Sequence, residues 1–544
     1  MSLFTGTGWL MLLVLRRDRI KLSVWVFSIV GLIAIAAPSI KEVYGSSQAT
    51  LEQYAGTMSH SIVGRMLGGP VDGPQLGSVM MMEYFLFVGV LIAFMSSLAI
   101  VRHTRQNEET GRSELLGSAV VGRYAQLTAA LVVVLMVNLV ITALMAVALI
   151  VNNMPTEGSL AMASALGGVG IVFAAVAAVC AQIIGSSRGA NAAAGAVIGF
   201  AILSRGIGDV LGKVASDGMS VASAWPSWLS PIGWGQQMHP FVTSDWWVLG
   251  IFAGASILLV SAAFWLASHR DHGMGMIPAK SGRATARAVL LSPLGLAWRL
   301  QRTVLLGWAI GVAVLGITLG MTAIEFKDFL AENEQLAAIL TQMGGGNGNV
   351  TDVYFVAMLG FMAFTMTGYG LQAILRLQTE ESNGYVEPIL STATGRFHWA
   401  LSHLGIVVVS VLALGALAGA STGVSYALVA SDVWSQVSGI TIAGLVQVPA
   451  TLAFVGFAVA LFGLVPRWSN AITWTAFAAC LLVVEVGSLL KLPEWVQNIS
   501  PFTHTPAAPA PTIEAWPLVV MSAIAVGLMA LGLVAFRRRD VVTS

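Results

Sequence analysis

The side chains best placed to act together in this sequence lie in two short charged stretches. The first runs from Arg105 through Glu108, Glu109 and Glu114 to Arg123; the second from Arg376 through Glu380, Glu381 and Glu387 to Arg396. In each, an acidic pair precedes a short segment carrying an apolar patch, and Gly-Arg closes it. Carboxylates grouped this way suit charge pairing with another protein; such pairs fix register and can carry force. The layout predicts a short helix lying at a membrane surface.

Bond-making chemistry is not expected. A phosphate loop needs a glycine-rich turn running into Gly-Lys-Ser/Thr at a helix start. Gly212-Lys213 is followed by Val214, and the run Gly344 to Gly348 has no lysine beside it. The 8 histidines show neither HExxH nor any paired-ligand spacing, so no metal or cofactor is expected in this chain. Cys180 and Cys480 each sit in an apolar run and read as small core residues.

Among the charges inside apolar runs, where an ionised group costs roughly 2.5–3.5 kcal/mol on insertion scales, three stand out. Glu485 stands mid-run, a candidate for substrate contact or gating. Arg205 and Asp209 are four apart, hence on one helical face, and can pair with each other. Tyr84, Phe85, Tyr354 and Phe355, among neighbouring methionines, offer an adaptable apolar surface to varied ligands, although helix packing uses the same residues.

What must position these groups is set by composition. Hydrophobic residues make up 56% of the 544 and charged residues only 10%; a soluble domain carries about 25% charged. In lipid each backbone group must be satisfied within its own segment, so long apolar runs become helices. Twelve are expected, near 22–40, 79–101, 124–151, 160–184, 193–212, 246–267, 304–324, 353–375, 399–427, 437–464, 471–490 and 516–536. Basic residues set orientation. Arg16, Arg17, Arg19, Lys21, Arg102, Arg105, Arg112, Arg123 and Arg188 share one side with Arg270, Lys280, Arg283, Arg287, Arg299, Arg302, Arg376, Arg396, Arg467 and Arg537 to Arg539. Lys41, Arg65, Lys213, Lys327 and Lys491 fall opposite. Both termini are therefore expected in the cytoplasm. The first helix reads as an uncleaved signal anchor behind Arg16 to Lys21.

The halves repeat in parallel. Arg16, Arg19 and Trp25 match Arg299, Arg302 and Trp308, and Tyr84-Phe85 matches Tyr354-Phe355. Glu108-Glu109 is set against Glu380-Glu381, and Glu114, Ser118, Gly122 and Arg123 against Glu387, Ser391, Gly395 and Arg396. Arg188-x-x-Asn191 matches Arg467-x-x-Asn470, Ser230-Pro231 matches Ser500-Pro501, Trp246 matches Trp516, and Arg270-Asp271 matches Arg539-Asp540. The expected organisation is a six-helix half over 1–275, a cytoplasmic linker over 276–298 and a second half over 299–544. Parallel repeats imply a pathway between them.

The motif Arg105-x-x-Glu108-Glu109-x-Gly-Arg112-x-Glu114-Leu-Leu ending at Arg123, with the leading basic segment, resembles that of ABC-2-type permeases. The fused twelve-helix form and the terminal Arg-Asp resemble the tetronasin-resistance or polyketide-antibiotic exporter permeases of actinobacteria. The resemblance implies a permease of the bacterial cytoplasmic membrane that exports hydrophobic small molecules. It further implies two copies of a separate ATP-binding cassette subunit, which holds the ATP and Mg, with Glu108, Glu109, Glu114, Glu380, Glu381 and Glu387 as coupling residues. Arg123 and Arg396 would anchor their loops at headgroup level. Asn383-Gly384-Tyr385 and Pro388 depart from the motif, which makes the two docking sites unequal. The membrane lipid is the other partner, and no nucleic acid is expected. The alternative is an ion-coupled secondary transporter with twelve helices, which Glu485 would serve.

Overall fold

The computed structural model describes residues 2–45, 47–117, 119–271, 273–277, 284–331, 350–430, 436–486, 493–509 and 515–540. It divides into two units, Met1–Gly282 and Arg283–Ser544. The Glu485 side chain, residues 278–283 of the linker and the glycine-rich 344–348 run lie outside the described residues.

In the first unit, α1 (Thr7–Tyr44), α4 (Leu76–His103), α7 (Ala125–Val151), α8 (Thr156–Ile183), α9 (Ser187–Val210) and α11 (Val248–Ser268) are long enough to span a bilayer. Between them, α2 (Gln48–His60), α3 (Ile62–Leu67) and α10 (Pro231–Gln236) build a cap on one face, and α5 (Arg105–Glu109) and α6 (Arg112–Gly117) form the acidic loop on the other. Basic Arg16 to Lys21 do not form a separate segment: α1 runs through them for 38 residues.

The second unit repeats the order with α12 (Pro293–Ala331), α13 (Val350–Ile374), α14 (Arg376–Ser382), α15 (Val386–Leu390), α16 (Arg396–Ala430), α17 (Gln436–Val446), α18 (Val448–Leu464), α19 (Ser469–Val486), α20 (Glu494–Gln497) and α21 (Ala515–Arg538). Among the described residues 11 helices are long and apolar enough to cross a membrane, α17 and α18 counting as one. The expected twelfth is α19, whose apolar stretch Ser469–Val484 is shorter. The fold is thus an all-helical, multi-pass integral membrane protein; among the described residues its only strands are a two-residue pair, Lys213–Val214 with Val221–Ala222.

Small residues set the closest helix contacts, since they let backbones approach. In the second unit Gly456 and Gly463 of α18 face the carbonyls of Ala525 and Gly532 of α21, and Gly532 faces that of Val459. In the first unit Gly77 of α4 and Gly158 of α8 leave the slot that the Phe241 ring fills. Phe241 (φ 70) lies on a stretch where His239 (φ 45) and Ser244 (φ 51) are also left-handed, a conformation costly for side-chain-bearing residues. Gly158→Ala should therefore dislodge this stretch and destabilise the cap by about 1–3 kcal/mol, read as faster amide exchange over residues 238–245.

Candidate functional site

The acidic loops are built from the helix ends upward. Thr104, at a break in helical geometry, ends α4 and starts α5 in the first unit. The turn throws Arg105 inward, where its side chain is fully buried. Its guanidinium donates to the Ala181 carbonyl at the end of α8 (2.6 and 2.9 Å) and to the Met274 carbonyl (3.2 Å). Nη1 also donates to Glu108 Oε2 at 2.8 Å.

Glu108 then meets Arg270, just past the end of α11. Arg270 Nη2 donates to Oε1 at 2.5 Å and Nη1 to Oε2 at 2.9 Å, a two-pronged pair with side chains only 9% and 6% exposed. Arg270 Nε donates to Gln182 Oε1 at 2.6 Å. Arg123 completes the knot: its Nη2 donates to the carbonyls of Ala267, Ser268 and Arg270 at 3.0–3.1 Å. A cation here satisfies the orphan carbonyls that end a helix and complements its dipole. The first acidic loop is fastened to the last helix of its unit.

The second unit makes the same knot. Arg539, after α21, donates to both oxygens of Glu381 at 2.6 Å, and Arg396 Nη1 donates to the Arg539 carbonyl at 2.7 Å. The Arg539 guanidinium also lies 5.0 Å from the ring centroids of Phe462 and Phe536. The repeat therefore pairs Glu108 with Glu381, in the register already shared by Glu114 with Glu387 and Arg123 with Arg396. Setting Glu108-Glu109 against Glu380-Glu381 was one residue out of step.

These contacts correct the expectation of a freely offered acidic row. Glu380 and Glu381 are buried, the Glu108 side chain is only 6% exposed, and all three are ion-paired within their own unit. Glu109, although exposed, accepts from the Ser187 backbone N at 3.1 Å and from its hydroxyl at the start of α9. Glu114 and Glu387 stay exposed and, among the described residues, form no ion pair. Each lies near one exposed apolar side chain in sequence: Leu115 (76% exposed) and Tyr385 (65%). Arg123 and Arg396, expected as headgroup anchors, instead hold helix ends.

The first helix of each unit is tied to the same loop with its charges redistributed. In the first, buried Asp18 of α1 meets His103 Nε2 at 2.7 Å and Arg102 at 3.1 Å, while Arg17 donates to Asn107 Oδ1 at 2.8 Å. In the second, Gln301 stands at the place of Asp18 and Glu380 at that of Asn107. Glu380 takes Arg376 at 2.7 Å and faces His403 at 3.7 Å, and the other nitrogen of His403 meets Gln301 at 3.2 Å. Sequence reading missed Asp18, His103 and His403 because each partner lies far along the chain.

The intramembrane candidates sort differently. Arg205 and Asp209 are fully buried and pair at 3.0 Å. Arg205 Nη2 donates to the Met66 and Leu67 carbonyls (2.8 and 3.0 Å), and Asp209 Oδ1 accepts from Ser223 and Ser227 (2.7 and 2.6 Å). Together these contacts join α9 to the cap. Phe85 and Phe355 are buried in the cores of their own units, and Tyr354 donates to the Leu319 carbonyl at 2.8 Å. Tyr84 is half-buried.

The cap has a second ionic contact, buried Asp72 with His239 Nδ1 at 2.8 Å. Burial pushes the Asp72 carboxyl up from its ordinary range, and the bond to Asp72 pushes the His239 imidazole up, with Asp245 adding to it. Both shifts mean that the folded cap binds protons more tightly than the unfolded chain does, so stability falls as pH rises. The His239 contribution is whole below its ordinary value near 6.5 and is lost on passing through its raised one. Amide protection over residues 68–75 and 238–245, taken relative to the intrinsic base-catalysed rate at each pH, should fall across neutral pH, and His239→Gln should flatten that profile.

Comparison with known proteins adds two findings. Residues 290–537 match the family model described as "Multidrug efflux system permease Rv1217c, C-terminal domain". Over 539 residues the chain is 35% identical to the multidrug efflux system permease protein Rv1217c of Mycobacterium tuberculosis (strain ATCC 25618 / H37Rv), an alignment covering 99% of this chain and 96% of that one.

Proposed function

The chain belongs to the family of the multidrug efflux system permease Rv1217c, a multi-pass transporter of the bacterial inner membrane, and from that premise we propose that it is the membrane half of an ATP-driven exporter. Its cargo is the class of hydrophobic drugs, antibiotics or lipid-like molecules. It works with two copies of a separate ATP-binding cassette subunit, which carries the ATP and Mg. Among ABC-2-type permeases we assign it to the branch of tetronasin-resistance-like exporters.

The observation that carries this reading is the repeated knot. A partner that docks at exposed Glu114 and Glu387 pushes on α6 and α15. Glu108–Arg270 and Glu381–Arg539 pass that push to the last helix of each half. The tethers at Asp18 and Glu380 pass it to the first. A surface loop with no partner would have no need to be fastened at both ends of its six helices. The differently charged tethers make the two docking sites unequal.

Purification of the chain with its genomic neighbours tests the proposal: an ATP-hydrolysing subunit should co-elute. Transport that persists without ATP and collapses with the proton gradient would instead assign the chain to ion-coupled secondary transporters. A narrower test reverses the exposed charges with Glu114→Lys and Glu387→Lys. Substrate-stimulated hydrolysis should fall at least about tenfold, equivalent to 1.4 kcal/mol of coupling, with unfolding temperature unchanged. Intact stimulation would remove these residues from the docking surface.

A further inference from the structure

The second unit contains a cavity of about 400 Å³ bounded by α18 (Ala453, Phe454, Phe457), α19 (Ala476, Cys480) and α21 (Met521, Ile524, Leu528), with Asn498 and His504 on its rim. It lies at the end of the unit opposite the acidic loop.

The repeat shows how this space arises. Trp225-x-x-Trp228-x-Ser230-Pro231-x-x-Trp234 in the first unit corresponds to Trp495-x-x-Asn498-x-Ser500-Pro501-x-x-His504 in the second. The local backbone is kept. Trp234 Nε1 donates to the Trp228 carbonyl at 2.6 Å, and His504 Nε2 meets the Asn498 carbonyl at 2.9 Å. In the first unit the Trp234 indole packs edge-on against Phe252 of α11 at 5.5 Å, and Trp228 stacks on Trp247 at 5.8 Å. The second unit keeps the scaffold and replaces two indoles by an amide and an imidazole, so the volume they would fill stays open.

We propose that this cavity is a binding site for a compact aromatic small molecule, which takes the place of the missing indoles. Its volume is within the range of drug-sized pockets, roughly 300–1,000 Å³, and such sites pair an apolar lining with a few polar groups. The lining is apolar, its aliphatic groups, among them Ile499, Pro501, Ile524 and Leu528, interspersed with the rings of Phe454 and Phe457 and the sulfurs of Met521 and Cys480. Rings and soft thioethers favour aromatic guests by edge and sulfur contacts. The rim imidazole and amide supply hydrogen-bonding groups for one polar substituent. The site would serve the exporter proposed above, but occupancy requires neither ATP nor a partner, so binding and transport fail separately.

The test uses the full chain in dodecyl maltoside, photolabelled with 3-(trifluoromethyl)-3-(m-iodophenyl)diazirine, with adducts mapped by peptide mass spectrometry. Adducts are expected on residues 453–457 and 521–528, and excess N-phenyl-1-naphthylamine should suppress them about tenfold or more, the arithmetic of a competitor well above its Kd. Asn498→Trp with His504→Trp, which restores what the first unit carries, should remove them and leave adducts at exposed Leu482 unchanged. Ala476→Phe, filling the cavity from another wall, should do the same if the double variant does not fold. Equal labelling in a folded plugged variant would overturn the proposal. So would protection by added phospholipid with none from the naphthylamine, which would assign the space to an acyl chain.

Discussion

Arg539→Glu should abolish export, and Glu381→Arg in the same chain should restore most of it. Glu381 and Arg539 are only 4% and 15% exposed and share two hydrogen bonds. Removing one partner of a buried pair leaves the other charge uncompensated, at a cost of about 3–5 kcal/mol. The exchange of partners re-forms the pair but loses the contact of the Arg539 guanidinium with Phe462 and Phe536, so recovery should be incomplete. The corresponding swap in the first unit, Glu108→Arg with Arg270→Glu, should recover less. Arg105 donates to the same carboxylate and would then face an arginine. Drug accumulation in cells and thermal unfolding of the purified chain, measured on singles and doubles, give the coupling energies directly. Equal recovery in both units would contradict the geometry of Arg105.

The second large effect concerns Arg205 and Asp209. Either Arg205→Met or Asp209→Leu alone should lower stability by about 3–5 kcal/mol, whereas the double substitution should approach the native chain, since apolar replacements of a buried pair are often neutral. The residual loss in the double should come from Ser223, Ser227 and the Met66 and Leu67 carbonyls, which lose their partners. A double variant that folds well and still exports drugs would fix the pair as a structural pin. A stable double variant without transport would return it to the substrate pathway.

Much of the fold could be read from the sequence because lipid simplifies the problem. Where water is absent, hydropathy alone marks the helices, and Arg and Lys mark the loops between them. The weak point was α19, whose apolar stretch is short. The acidic loops were visible as repeated patterns, yet their geometry was not. Glu108 and Arg270 lie 162 residues apart, and Glu381 and Arg539 lie 158 apart. Spacing in a sequence cannot say that a carboxylate meets a guanidinium across such a distance. It could have suggested it: the Arg-Asp that closes each half is itself repeated, and a repeated charge needs a repeated partner. The one-residue misalignment has a similar cause. Two adjacent glutamates look interchangeable along a chain, but on a helix they point about 100° apart, and only one faces the arginine.

The glycine-lined contact between α18 and α21 has a mechanical consequence. Where backbone meets backbone at Gly456, Gly463 and Gly532, no side chain lies between the helices to absorb a push, so a displacement of one is delivered directly to the other and the pair acts as a single lever. With 24 residues at 1.5 Å each, α21 gives that lever an arm of about 36 Å, hinged on the Arg539 knot. Two walls of the aromatic cavity belong to this welded pair and cannot part from each other. The remaining walls, α19 and the turn bearing His504, reach α18 through side chains instead, Phe477 and Phe502 packing on Phe454 at 5.8 and 5.7 Å, so widening the cavity means parting rings and not backbones.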